Sequence, residues 1–300
     1  MKTVWLASYP KSGNTWFRML IANLRRDTPV DINDLPEQYG IASARGRFDN
    51  IMLFPSGLLT HDECDRIRPR VYEAMVTQRL AVEENEQDTE IDQVRFIKSH
   101  DAYTYTDSGE PLLGGAKGAS AAILIVRDPR DVAPSFAHHG ARTIDQTIAL
   151  MGSPTSGFCD KTDRQHNQLR QQLGGWSRFH HGWLSQTDIP LHMVRYEDMK
   201  ANTSATLSAA LDFAGVSITP AEAARAAEFA AFDELKRQED LAGFNEAPRP
   251  HVGSNFFRRG MAGGWRDELT SAQVAQIEGD HAAMMQRLGY GASETERMMG

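Results

Sequence analysis

Four apolar runs along the chain each end at charged or hydroxyl residues. They occupy residues 3–9, 94–100, 120–131 and 189–199, and the first of them reads TVWLASY. Short runs rich in aliphatic, β-branched and aromatic residues predict buried strands. Strands that are apolar on both faces are typical of a parallel sheet covered by helices, and such sheets bind ligands at the carboxyl ends of their strands. The pattern therefore predicts an α/β fold with its polar site residues at one edge of the sheet.

Segments of helical length and apolar content lie between these strands. The first covers residues 15–26, directly after a glycine-containing turn, and either Asn14 or Thr15 is placed to cap it. Further helices are predicted at residues 60–82, 130–139, 165–186, 203–214 and 220–230. Three segments lack clear periodicity and are predicted to be surface loops: residues 28–58, 140–163 and 241–264. Because neither a repeat nor a linker is evident, we expect one domain over residues 1–300, with a central parallel sheet flanked by helices.

Charge and composition narrow the class of protein. A formal net charge of −8 over 300 residues argues against a nucleic-acid binder that relies on bulk positive charge. The two cysteines, Cys64 and Cys159, allow neither a disulfide framework nor a four-cysteine zinc site. No apolar run approaches the length of a membrane span or a secretory core. We therefore expect a cytoplasmic protein that binds neither nucleic acid nor a membrane, with its oligomeric state open.

The turn after the first predicted strand, SYPKSGNTW at residues 8–16, suits an anion. Gly13 lets successive backbone N–H groups point into one concavity, and the following helix adds the positive end of its dipole. Lys11 contributes an ammonium, and three neighbours contribute side-chain donors: Ser12, Asn14 and Thr15. An ordinary strand-to-helix turn with a solvated lysine is compatible with the same residues, so the motif alone does not establish an anion site. The usual nucleoside-triphosphate loop, GxxxxGK[ST], is not present here, and no GxGxxG follows a predicted strand.

Two further segments suit a second anion. Arg127 ends the third predicted strand, and Ser135 follows eight residues later, so about two helical turns bring a guanidinium and a hydroxyl to the same side. Arg258 and Arg259 stand beside Gly260, where the backbone allows close approach. Each pair alone is also compatible with solvated charges. Three such elements, two of them at strand ends, favour a ligand with more than one anionic group.

In combination, these motifs resemble the cytosolic-type sulfotransferase family, whose donor is 3′-phosphoadenosine 5′-phosphosulfate (PAPS). The family signature YPKSGTTW is matched by residues 9–16, with Asn14 in place of a threonine. The family segment RKGxxGxW appears at residues 258–265 with an arginine in place of the lysine, and its YED segment appears at residues 196–198. The eight-residue spacing of the family's Arg and Ser is also reproduced. The motifs occur in family order from residue 5 to about residue 270.

The resemblance implies a P-loop-like strand-turn-helix that binds the phosphosulfate, with PAPS as donor, 3′-phosphoadenosine 5′-phosphate (PAP) as product and no metal. It assigns donor binding to residues of the motifs: Lys11, Ser12, Gly13, Asn14, Thr15, Trp16, Arg127, Ser135, Tyr196, Phe232, Arg258, Arg259 and Gly260. Trp16 would stack on adenine, and Arg127 with Ser135 would bind the 3′-phosphate. Two departures stand out. Ala230 occupies the place of a threonine near the base, and the family's C-terminal dimerisation segment is not matched.

Three residues are candidates for catalysis of sulfuryl transfer to a hydroxyl or amine of a small-molecule acceptor. His100 follows the second predicted strand, and an imidazole titrates near neutral pH, which suits a general base. Lys11 is suited to stabilise charge on the leaving phosphate. Lys98 lies two residues before His100, on the same side of an extended strand. The family's segment ending in its catalytic histidine coincides with residues 98–100.

Two other functions are compatible with parts of the sequence. A nucleotide-dependent kinase would be expected to have a lysine after the glycine and a carboxylate for magnesium. Asp128 and Asp131 are possible carboxylates, although Asp128 begins a predicted helix, where an acidic residue is favoured in any case. A donor-binding protein without turnover is the second alternative. The acceptor pocket is expected in residues 28–58, 140–163 and 241–255, and these segments do not identify the acceptor.

Overall fold

A parallel sheet forms the centre of the fold. The computed structural model describes residues 2–35, 40–77, 90–247 and 255–291, with the backbone alone at residues 90 and 92. In chain order, the strands in these residues are β1 (Lys2–Ser8), β2 (Val94–Ser99), β3 (Ala121–Val126), β4 (Gly157–Phe158), β5 (Gln171–Gln172) and β6 (Leu191–Arg195). Strands β1, β2, β3 and β6 are parallel and pair in the order β2-β1-β3-β6, whereas β4 and β5 form a short antiparallel pair. The four predicted strands are confirmed.

Helices cover both faces of this sheet. The α-helices of the described residues are α1 (Asn14–Ala22), α2 (Arg45–Met52), α3 (His61–Thr77), α4 (Gly115–Gly118), α5 (Pro129–Gly140), α6 (Ile144–Gly152), α7 (Trp176–Ser185), α8 (Tyr196–Ala201), α9 (Thr203–Ala214), α10 (Pro220–Phe229), α11 (Phe232–Ala242) and α12 (Ser271–Arg287). Short 3₁₀ turns lie at Ser56–Leu58, Glu90–Gln93 and Gly264–Asp267. None of the helices in the described ranges has the length and apolar character that crossing a bilayer requires.

Side chains of β1 alternate between two hydrophobic cores, one on each face of the sheet. Trp5 and Ala7 pack into one core, and Val4 and Leu6 pack into the other. All four side chains are fully buried. Successive strand residues point to opposite faces, so a strand buried on both faces needs an unbroken apolar run. This explains why the strand runs are continuous rather than alternating in the sequence.

The prediction of a helix at residues 165–186 is wrong over its first half. Helix α7 begins only at Trp176, and residues 171–172 form strand β5 instead. Gly174 and Gly175 precede the helix with φ angles of 67° and 78°, a left-handed conformation that interrupts helical geometry. A side chain at Gly175 would place its Cβ 2.6 Å from the Met151 carbonyl oxygen. The close approach of two chain segments, which the local sequence does not reveal, decides where this helix starts.

Two of the predicted loops contain helices. Helix α2 lies within residues 28–58 and buries only Phe48, so it has almost no apolar periodicity to detect. Helix α6 lies within residues 140–163 and begins with a capping box between Thr143 and Gln146. The other predicted helices are present with small shifts of their ends. The last residues of the helix predicted at 60–82 lie outside the described residues.

A buried ion pair attaches α3 to the end of β2. The Arg68 side chain is fully buried, and its guanidinium donates to both carboxylate oxygens of Asp101, at 3.1 and 2.5 Å. It also donates to the Tyr72 hydroxyl at 2.9 Å. The backbone carbonyl of Asp101 in turn accepts a hydrogen bond of 3.0 Å from the Trp183 indole. Because Asp101 directly follows His100, these contacts fix the chain at the end of β2.

Removal of this buried guanidinium should destabilise the fold strongly. Arg68→Met leaves the Asp101 carboxylate buried without its partner, and we expect a loss of about 3–5 kcal/mol of unfolding free energy, measured by urea denaturation. Arg70→Met on the same helix removes exposed ion pairs with Glu73 and Glu110 and should change stability far less. Equal, small losses in the two variants would contradict the stabilising role of the Arg68–Asp101 pair.

Candidate active site

Residues at the carboxyl ends of the four parallel strands line one pocket of about 770 Å³. Fourteen of the sequence-predicted site residues line it: Lys11, Gly13, Asn14, Thr15, Trp16, Lys98, His100, Arg127, Ser135, Tyr196, Phe232, Arg258, Arg259 and Gly260. The remaining one, Ser12, is fully buried and does not line the pocket; its hydroxyl has no hydrogen-bond partner within the described part of the chain. The parallel register thus brings distant motifs to one edge of the sheet.

The turn between β1 and α1 has a backbone that most residues avoid. Gly13 has φ 105° and precedes the first helical residue, and Lys11 is left-handed with φ 67°. A Cβ at Gly13 would lie 2.7 Å from the Tyr196 ring, so a larger residue does not fit. The expectation that Asn14 or Thr15 caps α1 is wrong. The Asn14 amide instead donates to the Leu6 carbonyl at 2.8 Å and ties the turn to β1.

Lys11 is held in an environment that disfavours its charge. Burial, together with the positive charges of Arg127 and Lys98, lowers its pKa to about 7. Its ammonium lies 3.7 Å from the centre of the Phe256 ring, a cation–π contact. Near neutral pH the side chain is therefore divided between its two protonation states. An anion that enters the pocket would favour the protonated state.

A carboxylate lies among the cations of the pocket. Glu246 accepts from Arg18 at 2.6 Å and from Lys98 at 3.1 Å, and the Thr15 hydroxyl donates to it at 3.4 Å. Burial lowers the pKa of Lys98, and Glu246 opposes this effect. Neither Arg18 nor Glu246 belongs to a motif that sequence reasoning used. Arg18 follows the first motif on α1 and could have been suspected, but nothing in the sequence around Glu246 points to the pocket.

His100 has one of its ring nitrogens occupied by the backbone. Its Nδ1 lies 2.7 Å from the Ser8 carbonyl oxygen, an acceptor that requires a proton on Nδ1. The lone pair of the neutral ring is therefore on Nε2. Burial, followed by the charge of Lys98, lowers the pKa of His100 to about 3, so the ring is neutral at physiological pH. This is the protonation state that a general base needs.

Aromatic side chains form another part of the pocket. The Trp16 indole donates to the carbonyl oxygen of Ala230 at 3.0 Å, and its ring meets the Tyr196 ring edge-on with centroids 5.7 Å apart. Phe232 packs against Gly260, where a Cβ would come within 2.1 Å of its ring. Ala230 therefore supports Trp16 through its backbone, although it lacks a side chain that could contact a base.

Arg127 joins the first turn to the C-terminal motif. Its guanidinium donates to the carbonyl oxygens of Lys11, at 3.1 Å, and Met261, at 2.9 Å, and lies 4.2 Å from the centre of the Tyr196 ring. Ser135 lines the same pocket from α5. The predicted spacing of arginine and hydroxyl therefore places both side chains along one cavity.

The arginines of the C-terminal motif pair with acidic residues. Arg258 makes a two-pronged ion pair with Glu268, and its Nη2 lies 2.8 Å from Oε1 of the carboxylate. Arg259 pairs with Asp267 at 2.9 Å and with Glu268 at 3.0 Å. These pairs hold both guanidinium groups at the edge of the pocket. Both arginines line the same pocket as the β1–α1 turn.

The carboxylates considered for a kinase-type metal site have structural partners. Asp128 caps α5 and binds Arg130 at 2.7 Å. Asp131 accepts backbone hydrogen bonds from Gly263 at 2.6 Å and Trp265 at 2.9 Å, which attaches the C-terminal motif to α5. Across residues 2–35, 40–77, 90–247 and 255–291, no group of three or more metal-ligating side chains is assembled.

The pocket continues past His100 into a mixed apolar and polar region. Its apolar part includes Phe136 and Phe158, with the Phe158 ring 6.3 Å from that of His100. Its polar part includes His139 and Gln171. Burial above all lowers the pKa of His139 to about 3. Sequence reasoning missed His139, although it lies one helical turn after Ser135 on α5 and faces the same side.

One family recurs among the known proteins that this chain resembles. A family model described as the sulfotransferase domain matches residues 1–289. Sulfotransferase 2A2 of Mus musculus is 28% identical over 161 residues, which are 52% of this chain and 53% of that protein. Cytosolic sulfotransferase 16 of Arabidopsis thaliana is 26% identical over 167 residues, which are 52% of this chain and 48% of that protein. The matches thus span about half the length of these curated relatives.

Solved structures of similar fold contain PAP. The crystal structure of retinol dehydratase with androsterone and the inactive cofactor PAP covers 94% of this chain and 80% of its own, with a TM-score of 0.58 and 19% identity. The mouse sulfotransferase SULT7A1 in complex with PAP covers 99% of this chain and 88% of its own, with a TM-score of 0.58 and 18% identity. At this identity the likeness establishes the fold, an α/β domain around a central parallel sheet.

The lowered pKa of Lys11 can be measured directly. After reductive ¹³C-methylation, we expect one lysine resonance to titrate near pH 7, because burial and the neighbouring cations disfavour the ammonium. The charge is lost as pH rises through that value. Lys11→Arg should lack this resonance, which assigns it. If every lysine resonance titrated near the ordinary value of about 10.4, the electrostatic account of the site would be wrong.

Proposed function

Since this chain belongs to the sulfotransferase domain family, we propose that it transfers a sulfuryl group from PAPS to a hydroxyl or amine of a small-molecule acceptor. One observation carries the proposal. A neutral histidine, with Nδ1 bound to the Ser8 carbonyl, lines the same pocket as Lys11 and Lys98. A base for the acceptor proton and cations for the donor are thereby combined in one cavity.

The donor is held at two anion sites and an aromatic surface. The β1–α1 turn, with Lys11, Thr15 and the positive end of α1, binds the 5′-phosphosulfate. Arg127 and Ser135, with the arginines at 258–259, bind the 3′-phosphate. Trp16 and Phe232 contact the adenine. The residues fit such a ligand because the cations are separated along one pocket and because buried donors such as the Arg127 Nε have no partner within the described ranges.

In the transfer step, the acceptor oxygen or nitrogen forms a bond to sulfur while the bond between sulfur and the oxygen of the 5′-phosphate breaks. His100 takes the acceptor proton on Nε2, the ring nitrogen whose lone pair remains available. The anionic donor beside Lys98 reduces the positive potential that lowers the pKa of His100, so the base becomes stronger when the donor is bound. Lys11 stabilises the negative charge that develops on the leaving oxygen.

The acceptor binds beyond His100, in the region that contains Phe136, Phe158, His139 and Gln171. Two structures of similar fold contain androsterone and retinol, both small molecules with a largely apolar skeleton. We infer a small-molecule acceptor here as well. The polar side chains of this region favour an acceptor that carries hydrogen-bonding groups in addition to the one that is sulfated, because buried polar groups without partners are costly.

The role of His100 is tested by its replacement with alanine. His100→Ala should lower kcat about 10²- to 10⁴-fold, since general-base catalysis is lost, and should leave PAP affinity nearly unchanged. Turnover is measured with PAPS and a panel of phenols and alcohols, and PAP affinity by calorimetry. His181→Ala removes an exposed imidazole that does not line the pocket and serves as the control. Normal turnover in His100→Ala would disprove the base assignment.

The identity of the donor is tested by thermal shift with PAP and, separately, with ATP and magnesium. A ligand at 100 times its Kd adds about 2.7 kcal/mol of stability, so specific binding raises the Tm measurably. We expect a shift with PAP that Arg258→Ala loses and that Arg237→Ala, a variant outside the pocket, retains. A shift with ATP and magnesium but none with PAP would favour the kinase alternative. Donor binding without turnover on any acceptor would favour a binding protein.

A further inference from the structure

Glu246 is the one acidic residue among the described residues that line the pocket. It contacts Lys98 and Arg18 directly and acts electrostatically on Lys11, which is proposed above to bind the phosphosulfate. A single carboxylate in a pocket suited to a highly anionic ligand is unexpected, because it repels that ligand. Its contacts therefore need an explanation.

The Glu246 carboxylate contacts groups that the donor also needs. It lies 3.1 Å from the Lys98 ammonium and accepts from the Thr15 hydroxyl at 3.4 Å. Its other oxygen lies 2.6 Å from the Arg18 guanidinium. These are the distances at which a phosphate or sulfuryl oxygen would bind the same side chains. The carboxylate thus has the position of a bound anion at the end of the β1–α1 turn.

The two sides of this contact differ in how far their side chains are exposed. The side chains of Arg18 and Lys98 are only 5% and 14% exposed, whereas that of Glu246 is 32% exposed. Glu246 also follows the end of α11 by four residues, and the backbone N–H of its neighbour Asn245 donates to the Asn33 side-chain oxygen at 2.7 Å. The carboxylate therefore has a path to solvent on its exposed side, whereas the two cations are enclosed by protein.

We propose that Glu246 is an internal competitor of the donor, whose carboxylate occupies the place of the 5′-phosphate and its sulfuryl group and is exchanged for that anionic end when PAPS or PAP binds. This inference rests on the function proposed above. Departure of Glu246 alone would leave Arg18 and Lys98 buried without a counter-charge, which is strongly unfavourable. The exchange of one anion for another avoids that state and couples movement of Glu246 to donor binding.

Glu246 competes with the donor for these cations as long as its carboxyl group is ionised. Burial would raise the pKa of the carboxyl, but Lys98 and Arg18 outweigh that effect and hold it well below its usual range. The competitor therefore remains charged wherever the enzyme is expected to work. The donor binds only those molecules in which the Glu246 carboxylate has left the cations, so the apparent affinity falls in proportion to their fraction. If the carboxylate is bound in nine molecules of ten, donor binding is about tenfold weaker.

Titration calorimetry compares the PAP affinity of the wild-type protein with that of the Glu246→Gln variant. Glutamine keeps the shape and an oxygen acceptor for Arg18 but removes the competing charge. We expect the variant to bind PAP about tenfold more tightly. Adenosine 3′-phosphate, which has no 5′-phosphate to reach the turn, should bind both proteins equally. Glu234→Gln is the control, because it also removes one negative charge but lies on α11 outside the pocket. It should bind PAP with the wild-type affinity.

Each outcome of this experiment decides a different point. Weaker PAP binding by Glu246→Gln would overturn the inference, because it would mean that Glu246 orients Lys98 and Arg18 for the donor. Unchanged binding would also overturn it. Equal tightening by Glu234→Gln would reduce the effect to net charge and overturn it too. If PAP bound to none of the folded proteins, the donor proposal itself would fail, whatever the role of Glu246.

Discussion

The concentration of positive charge at one buried edge of the sheet is the constraint on which the rest of the site depends. Lys11, Lys98 and Arg18 lie in a pocket where burial disfavours their charges, and each must be balanced by an anion, an aromatic ring or a lowered pKa. The structure uses all three. Phe256 lies under Lys11, Glu246 pairs with Lys98 and Arg18, and the pKa of Lys11 falls to about 7.

Such an edge can exist because the sheet around it is rigid. Strand β1 is buried on both faces and pairs with β2 and β3 along nearly its whole length, so the turn that follows it starts from a fixed position. The Arg68–Asp101 pair attaches the end of the neighbouring strand β2 to α3. A site of like charges would otherwise relax by moving its side chains apart. Here the backbone positions that carry those side chains are determined by the cores on both faces.

The same charges link donor binding to chemistry. Burial above all, and then the charge of Lys98, keeps His100 neutral. The same charge would attract the proposed anionic donor, and binding of that donor would offset the part of the protonation penalty that is due to Lys98. The proposed exchange of Glu246 adds a further link, because the carboxylate and the donor would bind the same cations. In the proposed mechanism the cations therefore do more than bind the donor. Through them, donor binding makes His100 more basic and displaces the Glu246 carboxylate.

The sequence by itself determined the parallel sheet, the order of its motifs and fourteen of the residues that line the pocket. These features are local, since a strand run, a turn motif and an eight-residue spacing on a helix are each contained in a short segment. Only the tertiary structure decided the contacts across the chain. Glu246 meets Arg18 across 228 positions, and the Ser8 carbonyl selects the tautomer of His100 across 92. The start of α7 likewise depends on the backbone at Met151, which touches Gly175 only in the fold. Local patterns specify which residues reach an edge, whereas the charge state and partners of those residues depend on which other segments are packed against them.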